Sequence, residues 1–317
     1  MSRILVTGAG GFVGRALSRE LLARGNDVVG FVRRAGVCVD GVREWVDGSP
    51  DFAGLDRAWT ADAPVDCVIH LAARVHVLDE RDADPDIAFE RTNVSGTLRV
   101  AQAAVRHGVR RLVFVSSIKA VGERDHGLSL REDDVAEPQD PYGRSKRAAE
   151  AALMQFGLEH GLEIVIVRPP LVYGPEVRAN FLSMMDAIWR GIPLPLRSVT
   201  AQRSVVFVDN LADALVLCIT HPRAAGQCFH IADDALSVPE LLMRLGVLLH
   251  RPARLVPVPV DWLRMAARIT GRTAQIDRLV TDLRVDASRI RDVLGWQAPF
   301  STDEGLSLTA DWYRSTH

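Results

Sequence analysis

The stretch Ile4-Leu5-Val6-Thr7-Gly8-Ala9-Gly10-Gly11-Phe12-Val13-Gly14 constrains the fold more than any other part of this chain. The apolar run Ile4 to Val6 reads as a buried strand. A glycine turn follows, and then a helical pattern from Phe12 to about Arg24. Gly8, Gly11 and Gly14 recur every third residue. The first two let the backbone turn sharply and let a pyrophosphate approach the main chain; Gly14 lets the helix pack close to the strand. The free N–H groups at the helix start, around Phe12 and Val13, then face phosphate. Glycines punctuate many loops, and a plain strand-turn-helix corner is the bland alternative. Here the glycines follow a strand and open a helix, the setting that a dinucleotide site needs.

Val28 to Val32 reads as a second strand and completes a βαβ unit, parallel and right-handed. About 20 residues after the glycines, sites for NAD carry an Asp or Glu for the ribose 2′-hydroxyl. This chain has Arg33 and Arg34 there. A guanidinium at that point pairs with a 2′-phosphate, so NADP(H) is favoured over NAD(H); the alternative is two solvated arginines. Glu44 to Val46 is a short third strand, with Asp47 placed to meet the adenine. Val65 to Leu71 is a fourth, running into His70-Leu71-Ala72-Ala73, where Leu71, Ala72 and Ala73 border the cofactor and His70 is read as a structural hydrogen-bonder. The charged stretch 79–86 is expected to be a loop. A helix then carries Asn93-Val94-Ser95-Gly96-Thr97, with Asn93 hydrogen-bonding behind the cofactor. The expected class is α/β: a doubly wound parallel sheet with a smaller C-terminal substrate lobe.

Bulk properties exclude several functions. A net charge of -2 over 317 residues leaves no electrostatic footprint for nucleic acid. Cys38, Cys67, Cys218 and Cys228 lack CxxC spacing, which fits reduced cytoplasmic thiols better than a disulfide frame or a zinc site. No metal is expected. No apolar run approaches the roughly 18 residues of a membrane span. Only Met1, Ser2 and Arg3 precede the first strand, so no signal peptide is expected.

Arg111 to Val115 reads as a fifth strand with Ser116-Ser117 at its C-terminal end, the edge where open parallel sheets bind ligands. The polar segment 122–139 is a loop long enough to border a site. Asp140-Pro141 starts a helix as N-cap and first-turn proline. Tyr142 and Lys146 lie on that helix four residues apart, on one face. A tyrosine with pKa near 10 is too weakly acidic to be a base at neutral pH, and a nearby ammonium favours its phenolate. Tyr142 is then the acid/base toward a sugar hydroxyl or ketone, Ser117 bonds the same oxygen, and Lys146 holds the nicotinamide ribose. A YxxxK pair alone arises often by chance; after a strand ending in Ser-Ser, in a chain opening with GxxGxxG, it is specific.

These motifs resemble the extended short-chain dehydrogenase/reductases, the nucleotide-sugar epimerase/dehydratase group. TGAGGFVG at 7–14, HLAA at 70–73, NVSGT at 93–97, VSSIKAVGE at 115–123, YGRSK at 142–146 and RPPLVYGP at 168–175 carry the resemblance. It implies a Rossmann domain over 1–170, with 205–232 returning to it, and a nucleotide-sugar lobe over 171–204 and 233–317. It implies Ser117, Tyr142 and Lys146 as the catalytic set and Pro169 beside the cofactor. Asn180, Arg203 and, on a looser alignment, Arg278 become substrate contacts near the nucleotide phosphates.

Family dehydratases place an Asp-Glu pair straight after the triad serine or threonine; here Ile118 and Lys119 stand there, which argues against dehydration. The resemblance is greatest to a bacterial subgroup tied to surface polysaccharides, including lipopolysaccharide. Two enzyme readings follow. A 4-keto-sugar reductase exchanges NADPH, and Arg33 and Arg34 favour it; a UDP-hexose 4-epimerase keeps NAD bound. A cofactor-binding redox sensor or scaffold is the non-enzyme alternative. A homodimer through the helices around 93–107 and 140–156 is expected, with no nucleic-acid or membrane partner.

Overall fold

The computed structural model describes residues 2–49, 51–60, 64–75, 85–271 and 273–317. Its strands are β1 (Arg3–Thr7), β2 (Asp27–Val32), β3 (Arg43–Val46), β4 (Cys67–His70), β5 (Arg111–Val115), β6 (Glu163–Arg168), β7 (Leu171–Tyr173), β8 (Gln202–Phe207), β9 (Cys228–His230) and β10 (Asp234–Ser237). The helices are α1 (Phe12–Ala23), α2 (Leu55–Ala58), α3 (Pro85–Phe89), α4 (Gly96–Arg106), α5 (Pro141–His160), α6 (Ala179–Trp189), α7 (Val208–Thr220), α8 (Val238–Leu248), α9 (Val260–Ile269), α10 (Thr273–Val280), α11 (Ser288–Leu294) and α12 (Thr302–Thr316).

Among the described residues, seven strands form one parallel sheet in the order β3-β2-β1-β4-β5-β6-β9. The chain reverses direction across the sheet between β1 and β4, which opens a crevice at their C-terminal ends. Side chains alternate between two cores. Val113, Val165, Ile4 and Ile69 face one, against Leu17 and Leu21 of α1 and Leu211 and Leu215 of α7. Leu112, Phe114, Ile164 and Val68 face the other, against Val100 and Ala104 of α4 and Ala149 and Leu153 of α5. Both faces are covered, which is why these strands read as unbroken apolar runs.

A second, three-stranded sheet has the order β10-β8-β7. Of the 205–232 segment, β9 is the strand that joins the main sheet. β8 pairs with β7 and β10, while only β9 comes back, setting Ile166 against Cys228. An apolar strand carries no mark of the sheet edge that it will join, and β9 already occupies the free side of β6. The loop expected over 79–86 lies outside the described residues up to 84; residues 85 and 86 already belong to α3.

Candidate active site

The glycine turn has the shape of a phosphate cradle. Gly8 adopts φ +75°, and a Cβ on it would lie 3.0 Å from the Ala72 nitrogen. A Cβ on Gly14 would meet the Gly8 carbonyl oxygen at 2.2 Å, so only glycine permits this helix-on-strand contact. Gly11 is the N-cap of α1 and no side chain caps the helix, leaving the N–H groups of its first turn, Phe12 and Val13 among them, for a ligand. Arg15 is held away by Glu176 and by the Gly10 carbonyl, which accepts from it at 2.6 Å. These residues fit a dinucleotide pyrophosphate.

Thr7, His70 and Thr97 lock the floor of the turn. The Thr7 hydroxyl lies 2.6 Å from His70 Nδ1 and accepts from the Ala72 N–H, and His70 Nε2 lies 3.0 Å from Thr97 Oγ1. His70 is fully buried, and burial pushes its pKa down to about 3, so it is a neutral structural ring. Leu71 to Ala73 therefore run past the turn at a fixed height. Arg33 and Arg34 are exposed after β2, and neither makes a hydrogen bond or ion pair among the described residues. The carboxylate of Asp47 is engaged locally, bonding the Ser49 hydroxyl and the Gly54 N–H.

β5 and α5 bring the catalytic candidates together. Ser117 follows β5 and caps a short turn over Ile118–Ala120, its hydroxyl accepting from the Lys119 N–H at 3.3 Å. Pro169 sits beside it, its carbonyl accepting from the Ile118 N–H at 3.0 Å. Asp140 caps α5 as expected, accepting from the Gly143 N–H at 2.7 Å, with Pro141 in the first turn. A Cβ on Gly143 would meet the Lys119 carbonyl oxygen at 2.4 Å, so this glycine sets how closely α5 approaches the Ser117 loop.

Lys146 is buried. Its ammonium donates to the Val115 carbonyl at 2.8 Å and lies 4.5 Å from the Phe114 ring centroid and 5.9 Å from that of Tyr142. Burial pushes its pKa down to about 7, and the charge of Glu150 one turn on works against that fall. Burial pushes the Tyr142 phenol well above its ordinary value, the Asp140 charge adds to the rise, and a hydrogen bond with Ser117 opposes it. Burial therefore favours the neutral phenol, and positive charge beside it would favour the phenolate.

Two residues that sequence reasoning did not single out, Ser145 and Glu123, complete this floor. Asn93 lies in a π-helical turn over Glu90–Ser95 and clamps Arg74, accepting from its N–H at 2.8 Å and donating to its carbonyl at 3.0 Å. It also donates to the Ser145 hydroxyl at 2.9 Å, and that hydroxyl donates to the Tyr142 carbonyl at 2.8 Å. Ser145 thus ties the loop at Arg74, through Asn93, to α5; its only trace in the sequence is its place between Tyr142 and Lys146. Glu123 belongs to an ionic cluster with Lys119, Asp140 and Arg278. Lys119 pairs with Asp140, while Arg278 approaches Glu123 at 3.5 Å and Asp140 at 3.6 Å. Burial alone would raise Asp140, but Lys119 and the Gly143 N–H hold it below the usual carboxylate range.

The substrate-side residues are brought together unequally. Arg203 donates to the carbonyl of Arg278 at 2.7 Å, and the Arg278 guanidinium reaches Asp140 at the start of α5. Burial lowers the Arg203 pKa, and the Glu123 charge opposes that. Asn180 is exposed in the first turn of α6 and has no hydrogen bond to the Ser117 set among the described residues.

Known proteins share this architecture. A family profile described as "NAD dependent epimerase/dehydratase family" matches residues 4–232. A UDP-glucose 4-epimerase of Vibrio cholerae is 38% identical over 314 residues, covering 97% of this chain and 94% of its own. A dTDP-glucose 4,6-dehydratase of Streptomyces griseus is 32% identical, covering 98% and 94%. The crystal structure of a UDP-glucose 4-epimerase of Thermus thermophilus in complex with NAD superposes with a TM-score of 0.82 at 25% identity, covering 99% of this chain and 100% of that one. With the glycine cradle, the parallel sheet and the match over most of the chain in agreement, the protein belongs to the NAD-dependent epimerase/dehydratase family.

Proposed function

We propose that this protein interconverts C4 epimers of a UDP-hexose. The observation that carries this reading is the Ser117, Tyr142 and Lys146 set at the sheet edge, followed by Ile118 and Lys119 where a dehydrating enzyme needs two acids. Bound nicotinamide dinucleotide supplies a reversible hydride acceptor and a positive charge when oxidised. Gly8, Gly11 and the first turn of α1, with Phe12 and Val13, hold its pyrophosphate; Asp47, Leu71, Ala72, Ala73, Asn93 and Pro169 border its remaining length. Lys146 fixes the ribose and stabilises the Tyr142 phenolate. Tyr142 takes the C4 hydroxyl proton and returns it to the ketone oxygen, while Ser117 holds that oxygen in place. Arg203 and Arg278 meet the two phosphates of the nucleotide, and Asn180 stands on the same lobe, which spans 171–204 and 233–317.

Arg33 and Arg34 favour a second reading, a 4-keto-sugar reductase that uses NADPH. Their free guanidinium groups suit a 2′-phosphate, and a charge-assisted bond of roughly 1.5–3 kcal/mol corresponds to about a 10- to 150-fold preference. The cofactor that survives purification separates the two. Retained NAD with turnover of UDP-glucose or UDP-N-acetylglucosamine supports the epimerase; an empty protein that binds NADPH and loses that preference in Arg33→Ala/Arg34→Ala supports the reductase. Either enzyme is proposed to act as a homodimer through α4 and α5, and a monomer mass by light scattering would remove that part.

A further inference from the structure

Helix α9 turns the wrong side outward for an ordinary surface helix. Leu263 and Ala267 bury one face against the lobe. On the side away from them, Trp262, Met265 and Ile269 follow one another at helical spacing and are 66%, 57% and 82% exposed, with exposed Ala266 between them. Single exposed apolar residues are ordinary, but three large ones on one helix face form a patch. Cations flank it. Arg264 and Arg268 sit one turn apart beside the stripe. Among the described residues, Arg264 makes two long ion pairs, with Asp261 at 3.8 Å and Asp277 at 3.9 Å. Arg268, and exposed Arg254 before the helix, have no ion pair among the described residues. Residues 251–272 carry five arginines and one aspartate, in a chain whose net charge is -2.

We propose that α9 is an interfacial helix that docks this lobe on an anionic lipid bilayer. Its stripe of Trp, Met and Ile beside exposed arginines is the arrangement that buries apolar side chains at the acyl boundary and leaves guanidinium groups among the phosphates. No helix among the described residues is long and apolar enough to cross a membrane, so the attachment is peripheral. Charge selects this occupant over a second copy of the chain, because a two-fold contact through α9 would set the arginines of one copy against those of the other. Docking also orients the site. α10 follows α9 directly and carries Arg278, which reaches Asp140 at the start of the catalytic helix, so the nucleotide-facing lobe lies next to the bilayer.

The test is flotation of the purified protein with vesicles of equimolar phosphatidylcholine and phosphatidylglycerol at low ionic strength, beside vesicles of phosphatidylcholine alone. Wild type is expected to float with the anionic vesicles and to be released by salt. Each arginine near such a surface adds about fivefold in affinity, so Arg264→Ala/Arg268→Ala is expected to weaken binding about 25-fold. Trp262→Ser/Met265→Ser/Ile269→Ser is expected to abolish binding while far-UV circular dichroism and turnover of a soluble nucleotide sugar stay unchanged. Wild type that stays at the bottom of the gradient overturns the proposal. So does a mass that halves in the triple serine variant without vesicle binding, which would assign the stripe to self-association. Undiminished binding by the triple variant overturns it as well.

Discussion

The edge of the seven-stranded sheet and the lobe above it meet at Asp140, and different forces hold them. Around the glycine turn and the Tyr142 helix face the short contacts include neutral ones, Asn93 to Arg74 and Ser145 and Thr7 to His70, and the Lys146 ammonium on the Val115 carbonyl. Apart from Arg74, each partner lies in a strand or a helical turn, which orders these groups in the absence of ligand. On the lobe side the contacts are ionic. Arg278 bridges Glu123 and Asp140, Arg203 is anchored on the Arg278 carbonyl, and buried Asp125 holds Arg284 at 2.7 Å. Chemistry needs positions fixed within a fraction of an ångström; recognition of a charged nucleotide needs a supply of donors. The division of labour proposed from this is that the sheet edge sets turnover and the lobe sets affinity.

The sharpest way to break that division is the phenol. Tyr142→Phe is expected to lower kcat by at least about 100-fold, the scale of a general acid–base group, with cofactor binding kept by equilibrium dialysis. Near-normal turnover would take the chemistry away from the sheet edge. On the lobe, Arg203→Ala is expected to raise KM for the UDP-sugar by about 10- to 150-fold while kcat changes little, as for a remote phosphate contact of roughly 1.5–3 kcal/mol. A collapse of kcat at constant KM would show that the lobe takes part in the chemical step.

Smaller effects sharpen the comparison. Ser145→Ala leaves Asn93 without its Ser145 partner and removes a side-chain donor from the Tyr142 carbonyl, and is expected to cost about 1–3 kcal/mol in urea unfolding. A loss confined to KM would contradict a rigid sheet edge. The smallest is a pH dependence. With Lys146 pushed down to about 7 by burial, the unfolded chain binds its proton more tightly than the folded one between that value and the ordinary lysine pKa. In the cofactor-free protein this group therefore makes stability rise as pH increases from about 7 toward 10. The thermal midpoint of Lys146→Met is expected to lack that increment, and equal slopes for the two proteins would remove the buried ammonium as its source.

Much of the sheet side was legible in the residues themselves. Gly8, Gly11 and Gly14 announced the turn, Asp140-Pro141 announced the start of α5, and the spacing of Tyr142 and Lys146 put both on one face. The ionic side was not. Arg278 and Arg203 are 75 residues apart, and their link runs through a main-chain carbonyl that every residue possesses. Ser145 looked like any polar helix residue until Asn93 was found opposite it, 52 positions away.

The sequence by itself determined the βαβ opening, the cradle, the capped helix and the residue types of the catalytic set, because each follows from spacing along a few turns of chain or from what glycine and proline permit. Only the tertiary structure decided that β8 leaves the main sheet for the small one, that Glu123, Asp140 and Arg278 share one cluster, and that the apolar stripe of α9 faces outward. Those outcomes depend on which surfaces meet after the chain closes, and contacts between distant residues leave no periodic trace in the order of amino acids.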